Sequence, residues 1–383
     1  MTSLLCVVLV GCSSSVPAIQ EEDSFSVVGR VVPELMSAHD IPGMAVAVSY
    51  RGEDRFFGFG VQDHASGTPI NERTLFEVGS VSKLFTATLA AQASLDGVLD
   101  LDEPIGTYIE ALEGAPLGTV SVVHLATHTA GGFPLQLPDE VTTDAALLAY
   151  FQRWKPECAA GTVRHYANPS IGLLGVLVAR VRGVSFVDLV EQSLFPAIGM
   201  TDSYIEVPDD EYTRYAWGHT REGDRVRVNP GMLGAEAYGV KTTSADLLSF
   251  LKLNLQRADD SNELVQSIRQ TQRGLFDTSL FEQAMIWERY AFPLNREVFQ
   301  AGNSFEVILN PTPVVAVSSS NRTDHPVVLS KTGSTGGFGA YVLAIPQEEF
   351  ALVMLANRRY PNSARIDAAY RIVEEVLAPE SER

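Results

Sequence analysis

Met44-Ala45-Val46-Ala47-Val48-Ser49-Tyr50, then Arg51-Gly52-Glu53-Asp54, then Arg55-Phe56-Phe57-Gly58-Phe59-Gly60-Val61 reads as two β-like runs around a turn. The first run alternates Met44, Val46, Val48 and Tyr50, and the second is aromatic and Gly-spaced, as strands are. Comparable runs return only in the last third of the chain, at Ser304 to Leu309, Val314 to Ser318, Phe338 to Ile345 and Phe350 to Leu355. Between these two ends, apolar residues recur three and four apart and predict helices. Ser80 to Leu95 places Val81, Leu84, Phe85 and Leu89 on one face and stops at Gly97; Ser121 to Thr127, Asp144 to Trp154, Pro169 to Arg182, Ser185 to Leu194 and Thr243 to Leu255 follow. Asn168 before Pro169 reads as a cap and first helical residue. Further helices are expected at Phe25 to Met36 and Ser363 to Leu377, and a long ordered loop at Gly199 to Tyr238, which is polar and rich in Gly and Pro. The expected fold class is therefore a two-domain α/β (α+β) protein. An antiparallel sheet flanked by helices is built from both chain ends, with an all-helical insert. The expected boundaries are 23–98 and 184–383 for the α/β domain and 99–183 for the insert.

Composition narrows the function. Of 383 residues, 45% are apolar and 20% charged, the balance of a folded enzyme rather than a disordered chain. Lys plus Arg number 28 against 47 Asp plus Glu, a net charge of -19, so no basic stripe is available for nucleic acid. Three cysteines exclude a disulfide scaffold and a four-cysteine zinc site. Leu4 to Val10 is a seven-residue apolar run, too short to span a bilayer and suited to an export signal over residues 1–22. The following Leu9-Val10-Gly11-Cys12 and Ser13-Ser14-Ser15 resemble the lipobox and polar tether of bacterial lipoproteins, although Met1-Thr2-Ser3 lacks the usual positive charge. That reading places the protein in the periplasm, tethered to a membrane surface through an acylated Cys12. Cys6 is then removed and Cys158 is left without an intramolecular partner. A plain secretory signal cut near Val16-Pro17-Ala18 is the alternative.

The chemistry sits in three segments. Ser80-Val81-Ser82-Lys83 opens a predicted helix, and three residues along a helix bring a hydroxyl and an amine to one face. The serine is a weak nucleophile until a base takes its proton. The chain writes its positive charge with 23 arginines and only five lysines. An ammonium can lose its proton where a guanidinium cannot, so Lys83 and Lys331 point to titratable amines. Tyr166-Ala167-Asn168 supplies a phenol, a plausible base beside positive charge, and an amide that can grip a carbonyl or cap its helix. Lys331-Thr332-Gly333-Ser334 is the only Lys-Thr-Gly and puts a cation, hydroxyls and small residues on a strand edge, at the start of the Phe338 strand or on the strand before it. Each signal is weak by itself. Ser249-Phe250-Leu251-Lys252 repeats the first motif inside an amphipathic helix, and Tyr360-Pro361-Asn362 repeats the second. His124 and His128 stand four apart on a predicted helix, but Leu125 replaces the glutamate a zinc protease needs, so both read as structural.

Taken in order, the three motifs resemble the serine β-lactamase and penicillin-binding-protein superfamily. Tyr-x-Asn in the middle position is similar to the class C (AmpC-type) β-lactamases. So are His124 through Gln136, Ala235-Glu236-Ala237-Tyr238-Gly239-Val240-Lys241, and Ala356-Asn357 through Asn362 and Arg365. The resemblance runs from about Phe25 to Leu377. It implies that Ser80 is acylated and that Lys83 and Tyr166 share its proton. Gln136 and Asn168 would bind the amide side chain of a β-lactam, and Lys331, Thr332 and Asn362 would face its carboxylate region. Tyr238 would form a wall, and the N–H groups of Ser80 and Ser334 an oxyanion hole, with Gly333 among the substrate-binding residues. No cofactor and no metal is implied, the expected partner is a small-molecule β-lactam, and a monomer is expected. Ser330 stands where family members commonly carry His, and Arg359 where Asn is frequent. Glu306 to Asn310 matches a deacylation motif of class A enzymes, but on an expected strand, and reads as coincidence. A DD-peptidase, an esterase of the same fold and an envelope sensor acylated once are the rival functions.

Overall fold

The computed structural model describes residues 24–256, 261–318 and 326–379; the segment expected to be an export signal, with Cys6 and Cys12, lies outside them. The first half supplies α1 (Ser26–Ala38), β1 (Gly43–Tyr50), β2 (Glu53–Gly60), α2 (Lys83–Leu95), α3 (Asn168–Arg182), α4 (Gly234–Tyr238) and α5 (Ser244–Asn254). The rest supplies α6 (Glu263–Thr271), β3 (Phe276–Asp277), β4 (Glu282–Gln283), β5 (Glu288–Ala291), α7 (Phe305–Leu309), β6 (Val315–Ala316), β7 (Val327–Ser334), β8 (Gly339–Ile345), β9 (Phe350–Ala356) and α8 (Asn362–Val376). The strands make one antiparallel sheet in the order β6-β3-β4-β5-β7-β8-β9-β1-β2. The two chain ends meet inside it: β1 lies against β9, with Met44 opposite Ala356 and Tyr50 opposite Phe350.

Side chains alternate across a strand, so β1, β8 and β9 feed two cores. Met44, Val46 and Val48 of β1 join Tyr341, Leu343 and Ile345 of β8 on one face, where α1 and α8 pack together over them. Ala45 and Ala47 join Ala340, Val342 and Ala344 on the other. The alanines there leave room for α5 to lie directly on β1 and β9. Beyond it α2 packs between α3 and α6. Leu329 belongs to this second core, and the two-residue period puts Lys331 and Gly333 on its face, toward α2. The sheet thus aims the Lys-Thr-Gly segment at the Ser-x-x-Lys segment.

Several local expectations are corrected. Ser304 to Leu309 is helix α7, not a strand: the Ser304 hydroxyl accepts the Val307 N–H at 3.3 Å as an N-cap, and Phe305, Ile308 and Leu309 carry helical spacing. Glu306 therefore sits on a helix. Val314 to Ser318 shortens to β6. Lys331 lies on β7, the strand before the Phe338 run. Ser80 belongs to a 3₁₀ turn, Gly79–Ser82, and the α-helix starts only at Lys83; the three-residue period of that turn still stacks Ser80 with Lys83. Within 99–183 lie the helices Ile105–Tyr108, Val123–Ala126, Asp144–Arg153 and α3, but also a two-residue strand, Val163–Arg164, paired with Thr312–Pro313. Helix α6 was not foreseen, although Asn262 caps it and Leu264, Val265 and Ile268 form its buried stripe.

Candidate active site

Two glycines bring the first and third motifs together. Gly79 has φ +51°, and a Cβ there would lie 2.6 Å from the Ser334 nitrogen; a Cβ on Gly333 would lie 2.0 Å from the Val78 oxygen and 3.1 Å from the Ser80 nitrogen. Only residues without a side chain let the nucleophile turn press backbone to backbone against the end of β7. On the outer side, Arg365 is fully buried and donates to the oxygens of Gly333 (2.8 Å), Ala340 (2.9 Å) and Tyr360 (2.8 Å) and to the Ser334 hydroxyl (3.2 Å). That guanidinium locks the β7–β8 end, a role its sequence position did not disclose.

The turn and α2 place Lys83 behind Ser80. Its Nζ donates to Ser80 Oγ at 3.1 Å and to the Ala237 oxygen at 2.7 Å. The α4 segment is held there because Thr86 donates to the Glu236 oxygen at 2.6 Å and the Val240 N–H to Ser82 Oγ at 3.0 Å. Burial drives the Lys83 ammonium down to about 8; Tyr166 holds it up, and Lys331 depresses it further. Tyr166 follows from the turn before α3. Both Lys83 Nζ and Lys331 Nζ stand 5.2 Å from its ring centroid. Burial pushes its phenol up, but the charges of Lys331 and Lys83 more than offset that and leave it below its usual value. The Ser80 hydroxyl and the Lys83 amine beside the phenol oxygen lower it further, although neither makes a well-formed hydrogen bond to it. Arg164, paired with Glu288 at 3.1 Å and fully buried, backs the ring at 5.5 Å and anchors α7 through the Val307 oxygen.

An open cleft of about 430 Å³ collects the predicted residues. Lys331, Thr332, Gly333 and Ser334 line it from β7, together with Ser80, Tyr166, Asn168, Gln136, Tyr238 and Asn362; Lys83 alone lies behind the surface. Asn168 does not cap α3: Ala167 is the cap residue, and the Asn168 side-chain oxygen is buried with no partner among the described residues. Its N–H instead holds the Leu135 oxygen at 3.0 Å, fixing the loop that presents Gln136. Asn362 donates to the Asn303 oxygen at 3.1 Å. Of the two departures, Ser330 is buried beneath the strand and hydrogen-bonds the Tyr341 hydroxyl at 3.0 Å, so it does not reach the cleft. Arg359 does, lying 5.6 Å over the Phe305 ring. Phe305, Ile308 and Leu309 of α7 add an apolar wall that the strand reading of that segment hid.

The second copies and the histidines stand elsewhere. Ser249 donates to the Ala245 oxygen within α5, and Lys252 pairs with Asp54 at 2.6 Å. His124 is bonded to the Thr129 hydroxyl at 2.8 Å. His128 lies past its helix at φ +60°, where its ring accepts the Ala167 N–H and packs 4.4 Å from Tyr166. Burial, with Arg164 and both lysines adding to it, holds His128 neutral. Among the described residues no cluster of three or more His, Cys, Asp or Glu could hold a metal, and no helix is long and apolar enough to cross a membrane.

Comparison with known proteins agrees with this geometry. A β-lactamase family model matches residues 28–377. A β-lactamase of Pseudomonas fluorescens is 41% identical over 351 residues, 92% of this chain and 98% of that protein. The crystal structure of a β-lactamase/D-alanine carboxypeptidase from Pseudomonas syringae superposes with a TM-score of 0.89 at 41% identity, covering 93% of this chain and 99% of that one. A class C β-lactamase crystallised with cefoxitin gives 0.88 at 37% identity, with 93% and 99% covered. The chain belongs to the β-lactamase family, and within it to the class C serine enzymes.

Proposed function

We propose that this enzyme opens the β-lactam amide of cephalosporins and related antibiotics through an acyl-enzyme on Ser80. The observation that carries it is the buried Lys83 amine, 3.1 Å from the Ser80 hydroxyl and brought down to about 8 beside a phenol that is itself lowered. Ser80 Oγ attacks the lactam carbonyl carbon, its proton passes to the coupled Lys83–Tyr166 pair, and the carbon–nitrogen bond breaks as the pair returns that proton to the ring nitrogen. Water then cleaves the ester by the reverse relay. Because the two groups titrate together, the base is the pair rather than either member. The backbone N–H groups of Ser80 and Ser334 would bind the oxyanion. Lys331, Thr332 and Asn362 would take the substrate carboxylate, Gln136 and Asn168 its side-chain amide, and Tyr238 would close one side. The unsatisfied Asn168 oxygen supports that assignment, since an amide N–H of the ligand would fill it.

In this reading the protein acts as a periplasmic monomer, exported by residues 1–22 and tethered through Cys12, with domains divided at 98 and 183. Steady-state hydrolysis of a chromogenic cephalosporin, with Ser80→Ala alongside, tests the chemistry; turnover that survives the substitution rules it out. A second reading is favoured by the Pseudomonas syringae neighbour, which is also a D-alanine carboxypeptidase. Release of D-alanine from a D-alanyl-D-alanine peptide, with β-lactams only acylating the enzyme, would replace the first. Cys12→Ser tests the anchor: unchanged membrane partitioning of the protein in its host cell excludes lipidation.

A further inference from the structure

Glu77 stands three residues before Ser80 and is 1% exposed. A carboxylate is buried so fully only when its oxygens are occupied. Three donors from three segments occupy these. The Tyr215 hydroxyl and the Val228 N–H donate to Oε1 at 2.6 and 2.7 Å, and the Thr335 hydroxyl donates to Oε2. Val228 and Thr335 both line the cleft; Glu77 does not. Thr335 follows directly on β7, and Val228 begins the stretch that leads to α4 and Tyr238. Tyr215 is itself fixed from outside, with the Arg227 guanidinium 3.9 Å from its ring centroid and 4.1 Å from that of Trp217. Burial and the neighbouring Glu77 keep the Tyr215 phenol far above its ordinary range, so it remains a donor. The nearest lysine across the strand pair, Lys241, is spent on the Ile205 oxygen at 2.8 Å.

We propose that Glu77 is a positioning residue that sets the width of the substrate cleft. One carboxylate ties the segment carrying the nucleophile to Val228 and to the end of the Lys-Thr-Gly strand. The idea rests on the β-lactamase reading. A carboxylate accepts all three bonds; the amide of Glu77→Gln keeps the Tyr215 and Val228 bonds on its oxygen and turns its NH₂ toward Thr335, whose hydroxyl must then accept instead of donate. A charge-assisted bond becomes a neutral one, and the Thr335 link weakens; Thr335→Val removes it.

The test is burst and steady-state kinetics of chromogenic cephalosporin hydrolysis by wild type, Glu77→Gln, Thr335→Val and the double variant, with thermal unfolding of each. Thr335→Val is expected to keep a stoichiometric acylation burst, raise KM about tenfold and change kcat less than about threefold, and Glu77→Gln to raise KM by less. The double variant should be no worse than Thr335→Val, since both act on one link. Wild-type KM, multiplying effects in the double variant, or a lowered Tm with unchanged kcat and KM overturns the proposal. If Glu77→Gln does not fold, Thr335→Val and Tyr215→Phe decide: KM raised in both supports it, and wild-type KM in either overturns it. Failure of the parent reading shows differently, as a wild-type enzyme that does not turn the cephalosporin over, whether or not it is acylated once, and takes this proposal with it.

Discussion

Two segments of this chain spell Ser-x-x-Lys, and their surroundings set them apart. At the second, the Ser249 hydroxyl donates a hydrogen bond to the Ala245 oxygen of its own helix, and Lys252 reaches a half-exposed ion pair with Asp54. Both groups are satisfied and nothing is left to react. At the first, Lys83 is fully buried, meets a hydroxyl and a carbonyl instead of a carboxylate, and is brought down to about 8. The two Tyr-x-Asn copies repeat the contrast. Tyr360 has one cation over its ring, Arg365 at 4.7 Å, already committed to four other oxygens, and burial wins, leaving the phenol raised. Tyr166 has two ammonium groups at 5.2 Å, and charge wins. Identical letters differ in reactivity because burial and counter-charge decide whether a proton is free to move.

Substitutions made in matched pairs can break that comparison. Ser80→Ala should lower kcat for a chromogenic cephalosporin by at least about 10³-fold, the scale set by loss of a catalytic nucleophile. Ser249→Ala should leave it unchanged; a comparable loss at both would make the distinction of setting empty. Tyr166→Phe should cost about 10²–10⁴-fold, the usual contribution of a positioned proton-transfer group. It also removes the charge that holds Lys83 up, so the residual activity should reach its plateau at a lower pH than in wild type. An unmoved pH profile would show that the phenol carries no charge in the resting site. Tyr360→Phe deletes a buried hydroxyl with no partner among the described residues, and kcat should stay within about twofold.

The sheet was legible because β1 alternates Met44, Val46 and Val48 and because β8 and β9 are unbroken apolar runs, which pair with each other and, through β9, with β1. The motif residues were legible through their order, since each motif separately has a decoy. What escaped notice is held by tertiary contacts. Segment 304–309 offered β-branched and aromatic residues but no strand to pair with, and the Ser304 cap decided for helix. Asn168 looked like a cap by its place before Pro169, yet the chain turns one residue earlier and leaves its amide free for the cleft. Glu77 shows no local pattern, and Arg365 was marked only by the family resemblance, without a role. Their partners are 138 to 258 residues away for Glu77 and, for Arg365, up to 32, so only the folded chain reveals them.

The lysines themselves sharpen the contrast through stability. Lys83 is depressed from 10.5 to about 8, a burial cost of about 3 kcal/mol at 1.36 kcal/mol per unit. Below pH 8 folded and unfolded chains both carry the proton, so the cost is present in full. Between 8 and 10.5 the folded chain binds fewer protons than the unfolded one, and stability climbs with pH as the cost fades. Lys83→Met should therefore abolish turnover yet raise unfolding stability at pH 7 by about 2 kcal/mol, once two lost hydrogen bonds are allowed for. That gain should vanish near pH 10–11, because the neutral amine is no longer penalised there. Urea unfolding at the two pH values checks this, and a destabilised variant at pH 7 would mean that the amine is held neutral throughout. Lys252→Met is the smallest effect. Its side chain is 43% exposed and its pair with Asp54 is open to solvent, which limits the loss to well under about 1 kcal/mol. It should fade in high salt. A loss of several kcal/mol that salt leaves untouched would mean a buried, unscreened charge at Lys252 and erase the difference between the two copies.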